Sequence, residues 1–317
     1  MYKNNKISVV VTAYNEEKLI SKTVDSVPDF VEKIIVVNDT STDKTRQIVE
    51  EIMKHNSKVV LINHKLNQGP GGAVATGYIW SRDNDIDIAV VMAGDLQMDP
   101  QDMPNLLDAI IVDGADYSKG NRLLSSEVKD KMPKIRYYAS QWLSLLTKIS
   151  SGYWQIIDPQ CGYTAINKNA LHRIDWEKFY RGYGLLNDLL VRLNVADMKV
   201  ADVEIKPVYQ VGEKSGIKMS RLFFSLSWLL FKDFLWRLKE KYVIRDFHPL
   251  VFFYFLGGVF GVFTLVLSVR LFYIWWVFGE IPPINALGAM FTFMGMSQFI
   301  LFAMWFDMNY NEHLKIK

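Results

Sequence analysis

Cysteine is nearly missing from this chain. Cys161 stands alone among 317 residues, which excludes an intrachain disulfide. A solitary cysteine usually behaves as a small buried hydrophobe, and Cys161 is read as one rather than as a catalytic thiol. The 5 histidines are scattered and none is spaced for zinc, so no Cys/His metal cluster is expected. Charge of one sign is also lacking. A formal net charge of +2, with no basic stripe interleaved with stacking aromatics, argues against nucleic acid as a partner. The glycine-rich stretch Asn67-Gln68-Gly69-Pro70-Gly71-Gly72 has no Gly-Lys-Ser/Thr behind it, so it is not a P-loop, and no strand–loop junction carries a three-glycine dinucleotide fingerprint. Gly71 and Gly72 fit a helix start that another piece of backbone approaches closely. The N-terminus, Met1 to Lys6, lacks the pattern of a signal peptide, so the soluble part is expected to stay on the cytoplasmic side.

What the chain does have is alternation. Short apolar, β-branched-rich runs occur at Ile7–Val11, Val31–Val37, Val59–Ile62 and Ile86–Met92. Helical spacing lies between them, beginning near Glu16, near Thr42 and near Gly72. Strands alternating with helices predict a mostly parallel sheet covered on both faces. In such sheets ligands bind beyond the carboxyl ends of the strands. Thr12 to Glu16, Asp39, Asn67 to Gly72 and Asp95 each follow a predicted strand and are expected to converge on one crevice. From Lys131 to about Leu146 the pattern is helical, Asp158 to Tyr163 is turn-like, and Val200–Val208 reads as a further strand. Gly212 to Gly216 reads as a flexible polar loop.

The aromatics are uneven, most Trp and Phe lying after Phe179. Met219 to Phe247 mixes apolar aromatics with Arg221, Lys232, Arg237, Lys239 and Lys241, which suits a headgroup layer. Pro249–Val269 and Asn285–Phe306 are uncharged and long enough to cross about 30 Å of hydrocarbon. Trp275 and Trp276 between them suit an aromatic belt, and Arg270 is expected to snorkel or pair. Lys and Arg crowd before the first run, and Lys315 and Lys317 follow the second. The positive-inside rule then places both termini in the cytoplasm. Three regions are expected: a soluble domain over 1–218, juxtamembrane amphipathic helices over 219–247, and two transmembrane helices with a short tail over 248–317. Gly257, Gly258 and Gly261 offer a small-residue face for a homo-oligomer.

Asp95 and Gln97, two residues apart on a turn after a strand, can turn two oxygens toward one hard cation, Mg²⁺ or Mn²⁺, that keeps waters or phosphate as its other ligands. Asp99-Pro100 behind them reads as an N-cap and first-turn proline. Asp39 can accept hydrogen bonds from a base or ribose, or it can cap. Arg122 and Arg136 are candidates for bidentate contact with phosphate, or else solvated surface charges.

The blocks Val10-Val11-Thr12-Ala13-Tyr14-Asn15-Glu16, Val37-Asn38-Asp39, Asn67-Gln68-Gly69 and Gly94-Asp95-Leu96-Gln97 resemble, in order and spacing, the family 2 glycosyltransferases of GT-A fold. Gly120-Asn121-Arg122, Asp158 to Tyr163 and two terminal apolar runs narrow the resemblance to the polyprenyl-phosphate hexosyltransferases. It implies a Rossmann-like α/β domain in which Thr12, Ala13, Tyr14, Glu16 and Asp39 surround base and ribose, with Asn67 and Gly72 beside the donor. It implies that Asp95 and Gln97 hold the metal against the diphosphate. Arg122 and Arg136 would face the lipid phosphate, Asp158 and Asp188 would lie near the sugar, and Lys218 would sit on a loop closing over the diphosphate. Members often carry an acid where Ala93 stands here. The Gln-x-x-Arg-Trp block of processive synthases is absent, which favours transfer of a single sugar. The expected reaction is inverting transfer of one hexose from a nucleotide sugar, UDP- or GDP-linked, to a polyprenyl phosphate in the bilayer. Two other readings stay open: a non-catalytic membrane protein that binds nucleotide sugar, and a glycosyltransferase whose glycolipid acceptor bears a hydroxyl and therefore needs a general base.

Overall fold

The computed structural model describes residues 1–123, 134–206 and 219–316. The loop expected at Gly212 to Gly216 lies outside them. The chain divides into two compact units, Met1–Phe234 with His313–Lys317, and Leu235–Glu312.

The first unit is built on a seven-stranded sheet. Its strands are β1 (Ile7–Ala13), β2 (Lys33–Asn38), β3 (Val59–Asn63), β4 (Ile88–Ala93), β5 (Tyr117–Asn121), β6 (Thr164–Asn167) and β7 (Val200–Glu204), in the order β3-β2-β1-β4-β6-β5-β7. Only β6 runs antiparallel to its neighbours. Parallel strands covered on both faces read as continuous apolar runs, and Ile7, Val9, Val10 and Val11 of β1 are all fully buried. The two-residue period divides them, with Val9 and Val11 in one core and Val10 in the other.

Helices α1 (Ile20–Ser26), α2 (Thr45–His55), α3 (Gly69–Asp83), α4 (Met103–Ile111), α5 (Lys134–Ser151), α6 (Lys168–Arg173) and α7 (Leu185–Val195) connect and cover the strands. The first two begin a few residues later than the sequence periodicity suggested. The residues ahead of them are held in loops instead: the Asn15 side-chain oxygen accepts the Thr42 N–H at 2.8 Å, and the Thr45 hydroxyl accepts the Glu16 N–H at 2.8 Å. Helix α3 begins earlier, at Gly69, because Pro70 is tolerated in a first turn that makes no use of its missing N–H. Leu314, near the end of the chain, is buried in the core of this unit. Cys161 is buried there too, and burial pushes its thiol up, in keeping with a packing role.

A long helix, α8 (Met219–Lys239), carries the chain from the first unit into the second. A π-helical turn over Glu240–Arg245 follows it, then α9 (Leu250–Phe278) and α10 (Pro283–Tyr310). At 29 and 28 residues, both are long and apolar enough to cross a membrane. Their outer side chains, Phe255, Phe263, Trp276 and Phe291 among them, are exposed, as a lipid-facing surface requires. Arg270 is also exposed. The two helices interlock through glycines. A Cβ on Gly295 would come within 2.6 Å of the Phe260 ring, and one on Gly257 within 2.8 Å of Ile300. Gly257 and Gly261 thus face the neighbouring helix of the same chain, and Gly258 faces open space.

The second unit also holds a buried ion pair. Both guanidinium amino groups of Arg237 reach the Asp307 carboxylate, at 2.8 and 3.0 Å, and both side chains are fully buried. Tyr242 donates to the same carboxylate, and Asn311 donates to the Tyr242 hydroxyl. A buried pair is costly to break from one side, because the remaining charge is stranded. Arg237→Leu is therefore expected to lower stability by about 3–5 kcal/mol. Arg237→Leu/Asp307→Leu should recover most of that loss, as read from thermal unfolding in detergent. A double variant no more stable than the single one would contradict this account of the pair.

Candidate active site

The register of the parallel strands brings the chemistry-bearing loops together. Thr12 pairs with Val37 on one side and Ala93 on the other, and Asn38 pairs with Asn63. The chain therefore leaves β1, β2, β3 and β4 at the same edge of the sheet. The Ala13 carbonyl accepts the Asp39 N–H at 2.9 Å, and the Thr12 carbonyl accepts the Gly94 N–H at 3.1 Å. Asn15, Thr40 and Leu96, one in each of three of these loops, have left-handed backbones with φ of +59°, +62° and +59°. For a β-branched Thr or a bulky Leu, that conformation costs about 1–3 kcal/mol and persists only where surrounding structure enforces it.

Asp39 is buried, and its carboxylate is surrounded by donors. One oxygen accepts the Gln68 N–H at 2.8 Å and meets His64 Nδ1 at 2.7 Å; the other accepts the Gly69 N–H at 2.8 Å. His64 Nε2 lies 2.8 Å from the Thr76 hydroxyl. Asp39 thus anchors the start of α3, and Asn67 joins it by donating to the Asp39 carbonyl at 3.1 Å. Nothing in the sequence patterning marked His64 as its partner. The segment Tyr180–Arg181 crosses this helix start. The Arg181 carbonyl accepts the Gly71 N–H at 2.9 Å, and a Cβ on Gly71 would fall 2.2 Å from the Tyr180 carbonyl oxygen. Gly71 is glycine because backbone occupies the place of its side chain. Gly72 is likewise packed against Gln68. Tyr14 is exposed at the end of β1, and Glu16 accepts the N–H groups that open α1.

At the end of β4, Asp95 is partly buried, and burial raises its carboxyl above the usual carboxylate range. The Gln97 N–H donates to it at 3.1 Å. Ala93 N–H points to the Met98 sulfur at 3.3 Å, so a thioether lies beside the position where the resemblance leads one to expect an acid. Asp99 accepts the Gln101 N–H at 2.9 Å, the cap that its sequence context predicted. Among the described residues no three His, Cys, Asp or Glu side chains cluster as a complete metal site. The donor set present, one carboxylate and one amide, suits a hard cation that takes its other ligands from a diphosphate and water. Under this edge lies a cavity of about 130 Å³, lined by Thr12, Ala93, Met98, Gly162, Leu185 and Leu189 among others.

Across the sheet, Arg122 and Asp158 form a bidentate pair at 2.8 and 3.1 Å. Asp158 is buried, while the Arg122 side chain keeps 35% of its surface exposed. Burial pushes the Asp158 carboxyl up, but the Arg122 hydrogen bonds and the nearby Lys119 and Arg122 charges outweigh it and hold the group below the usual range. Lys119 is itself fully buried; it donates to the Cys161 carbonyl at 3.0 Å and to the Asp158 carbonyl. Asp202 of β7, which no motif singled out, accepts the Ile157 N–H at 3.1 Å and holds Asn121. Asp188, in the first turn of α7, accepts the Tyr180 N–H at 2.9 Å and Arg192 Nε at 2.8 Å. Lys218 lies outside the described residues, and of Arg136 only the helical backbone is described.

A carboxyl lowered by its partner contributes stability above the unfolded value, which is lost as pH falls through the folded one. Arg122→Met removes the partner and leaves burial to raise Asp158. Its acid unfolding midpoint, followed by tryptophan fluorescence, should rise by about one pH unit. An unchanged midpoint would show that the pair does not hold Asp158 ionised.

Against known proteins, a family model described as Glycosyl transferase family 2 matches residues 8–175, from β1 through β6 to just past α6. A UDP-N-acetylglucosamine–dolichyl-phosphate N-acetylglucosaminyltransferase of Methanococcus voltae is 30% identical over 216 residues, 64% of this chain and 86% of its own length. An undecaprenyl-phosphate mannosyltransferase of Micrococcus luteus is 26% identical over 63% of this chain and 82% of its own. A dolichol-phosphate mannosyltransferase of Pyrococcus furiosus is 27% identical over 59% of this chain and 53% of its own. In fold, the chain is similar to the crystal structure of Mycobacterium tuberculosis glucosyl-3-phosphoglycerate synthase in complex with Mn²⁺, UDP and glucosyl-3-phosphoglycerate. That match has a TM-score of 0.54 and 22% identity, and covers 74% of this chain and 80% of the other.

Proposed function

This chain belongs to glycosyl transferase family 2, and we propose that it moves a single hexose from a nucleotide sugar to a polyprenyl phosphate in a membrane. The observation that carries the reading is the presence, in one chain, of the Asp95–Gln97 turn at the carboxyl edge of the sheet and two uncovered apolar helices. Relatives named for transfer to dolichyl or undecaprenyl phosphate support the acceptor class, while their different sugars leave the hexose open.

In the proposed reaction a lipid phosphate oxygen bonds to the anomeric carbon from the face opposite the diphosphate. The bond from that carbon to the diphosphate oxygen breaks, and nucleoside diphosphate leaves with the electron pair. The configuration inverts. A phosphate monoester has a second pKa of about 6, so the acceptor is already anionic and needs no strong general base. This favours a phosphate over a hydroxyl acceptor, because the buried site carboxylates are already engaged: Asp158 by Arg122, and Asp188 by Arg192 and the Tyr180 N–H. Thr12, Ala13, Tyr14, Glu16 and Asp39, with the 67–72 loop that Asp39 holds, would form the base and ribose site. Asp95 and Gln97 would hold Mg²⁺ or Mn²⁺, which when bound offsets charge on the departing diphosphate. Arg122, oriented by Asp158, would receive the lipid phosphate and reduce repulsion between two anions. Lys218 and Arg136 are proposed to serve the diphosphate and the acceptor, respectively.

The helix pairing and the charge distribution support one orientation. Helices α9 and α10 pack antiparallel, with Gly257 beside Ile300 and Gly288 beside Leu267, so the pair starts and ends on one side. Lys239, Lys241 and Arg245 crowd the approach to α9, which favours the cytoplasmic side for both ends.

Asp95→Ala tests the reading. With labelled nucleotide sugar and polyprenyl phosphate, transfer of label into the organic extract should fall by about 10²–10³-fold while thermal unfolding is unchanged. Undiminished transfer would remove Asp95 from the mechanism. Nucleotide-sugar binding by the wild type without any transfer would favour the non-catalytic alternative.

A further inference from the structure

Asp233 lies on α8, is nine-tenths buried, and has a carboxylate oxygen, Oδ2, with no hydrogen-bond partner. The face of α8 that carries it is docked firmly. Leu226 and Leu230 pack with Leu143, and the Ser150 hydroxyl donates to the Leu230 carbonyl at 2.8 Å. A Cβ on Gly184 would come within 2.3 Å of Leu229 Cδ2. Gly184 is the N-cap of α7, and Asp188 lies in that helix's first turn. The charged groups that act on Asp233 are Asp188 and Arg192 from α7 and Lys232 from its own helix. Burial first, and the Asp188 charge second, push its carboxyl up to about 7.

Asp188 and Arg192 have structural work of their own. The same Asp188 oxygen that accepts Arg192 Nε at 2.8 Å also accepts the Tyr180 N–H at 2.9 Å. Tyr180–Arg181 is the strap across the start of α3. Its Arg181 carbonyl holds the Gly71 N–H at 2.9 Å, and the Arg181 guanidinium donates to the Gln68 side chain. Leu229 of α8 meets α7 at Gly184; Asp233 lies one turn further along α8 and Asp188 one turn further along α7, and Asp188 holds the strap that reaches the loop Asp39 anchors.

We propose that Asp233 is a positioning residue that, by gaining or losing a proton, governs how firmly Asp188 holds the Tyr180–Arg181 strap over the donor loop. The inference rests on the reading of Asp39 and residues 67–72 as the donor site. Protonated, Asp233 leaves Arg192 to Asp188 and the strap is held. Ionised, it repels Asp188 and competes for Arg192, and the strap loosens. Because its folded-state value is raised, Asp233 costs stability as pH rises toward 7 and beyond. Asp233→Asn should therefore stabilise the protein at pH 8 more than at pH 5.

A purely structural role would produce that stability change too, so the deciding readout is ligand affinity. Binding of UDP, and of GDP in parallel, each with Mn²⁺, is measured by calorimetry on the full chain in detergent between pH 6 and pH 8. Nucleotide ionisation acts on every protein form alike. Relative to Asp233→Asn, the wild type should lose about fivefold in affinity over this range. Asp233→Ser, also uncharged, should behave as the Asn variant and serves if that one does not fold. Equal pH dependence in the wild type and the uncharged variants would overturn the role of Asp233 and leave the donor site standing. Absence of nucleotide binding in every form at every pH would overturn the donor-site reading and this inference with it.

Discussion

The alignment of β1 between β2 and β4 is the constraint on which the site depends. With Thr12 opposite Val37 and Ala93, three strands running in one direction finish together. A one-residue slip in either pairing would turn every β-strand side chain to the opposite core, exchanging the places of Val9 and Val10. The buried apolar residues therefore enforce the register, and the register places Asp39 and Asp95 at the same edge. The left-handed backbones at Thr40 and Leu96 are tolerable because the cores on either side of the sheet fix where each strand must stop.

Charge is treated differently in the two units. In the first, three buried carboxylates around the candidate site are tied to groups that still reach solvent or to loop backbone. Asp158 holds a partly exposed Arg122, Asp39 holds the Gln68 and Gly69 amides, and Asp188 holds the strap. Each orients a neighbour without being consumed by it, which suits a site that must receive an anion. In the second, Arg237 and Asp307 are closed off completely and join α8 to α10.

Much of this was legible in the sequence, because it depends on short-range pattern. Apolar runs followed by acidic or glycine-rich turns marked β1 to β4 and the crevice residues after them, and two uncharged runs marked α9 and α10. The Asp99 cap and the close backbone approach at Gly71 followed from local rules. What escaped was set by partners distant in the chain. His64 reads as an ordinary loop residue until β3 is placed beside β2. Asp202 reads as the polar member of an alternating strand. Asp233 was hidden for a different reason: α8 is apolar on both faces, with Phe224, Trp228 and Phe231 exposed and Leu226 and Leu230 buried, so periodicity did not reveal which way the acid turned. Helix starts were misjudged by a few residues where side chains such as Asn15 and Thr45 bind loop backbone in preference to extending a helix.

The family membership, the sheet edge and the uncovered helices converge on one chemical claim: an anionic lipid phosphate displaces a nucleoside diphosphate from a hexose. Its most direct measurement is the intact mass of the lipid after the full chain, reconstituted in vesicles containing polyprenyl phosphate, has been incubated with a panel of nucleotide sugars. The account predicts a gain of one hexosyl unit per lipid phosphate, matched by release of one nucleoside diphosphate. Unmodified lipid alongside released free sugar, or several sugars added in series, would contradict it.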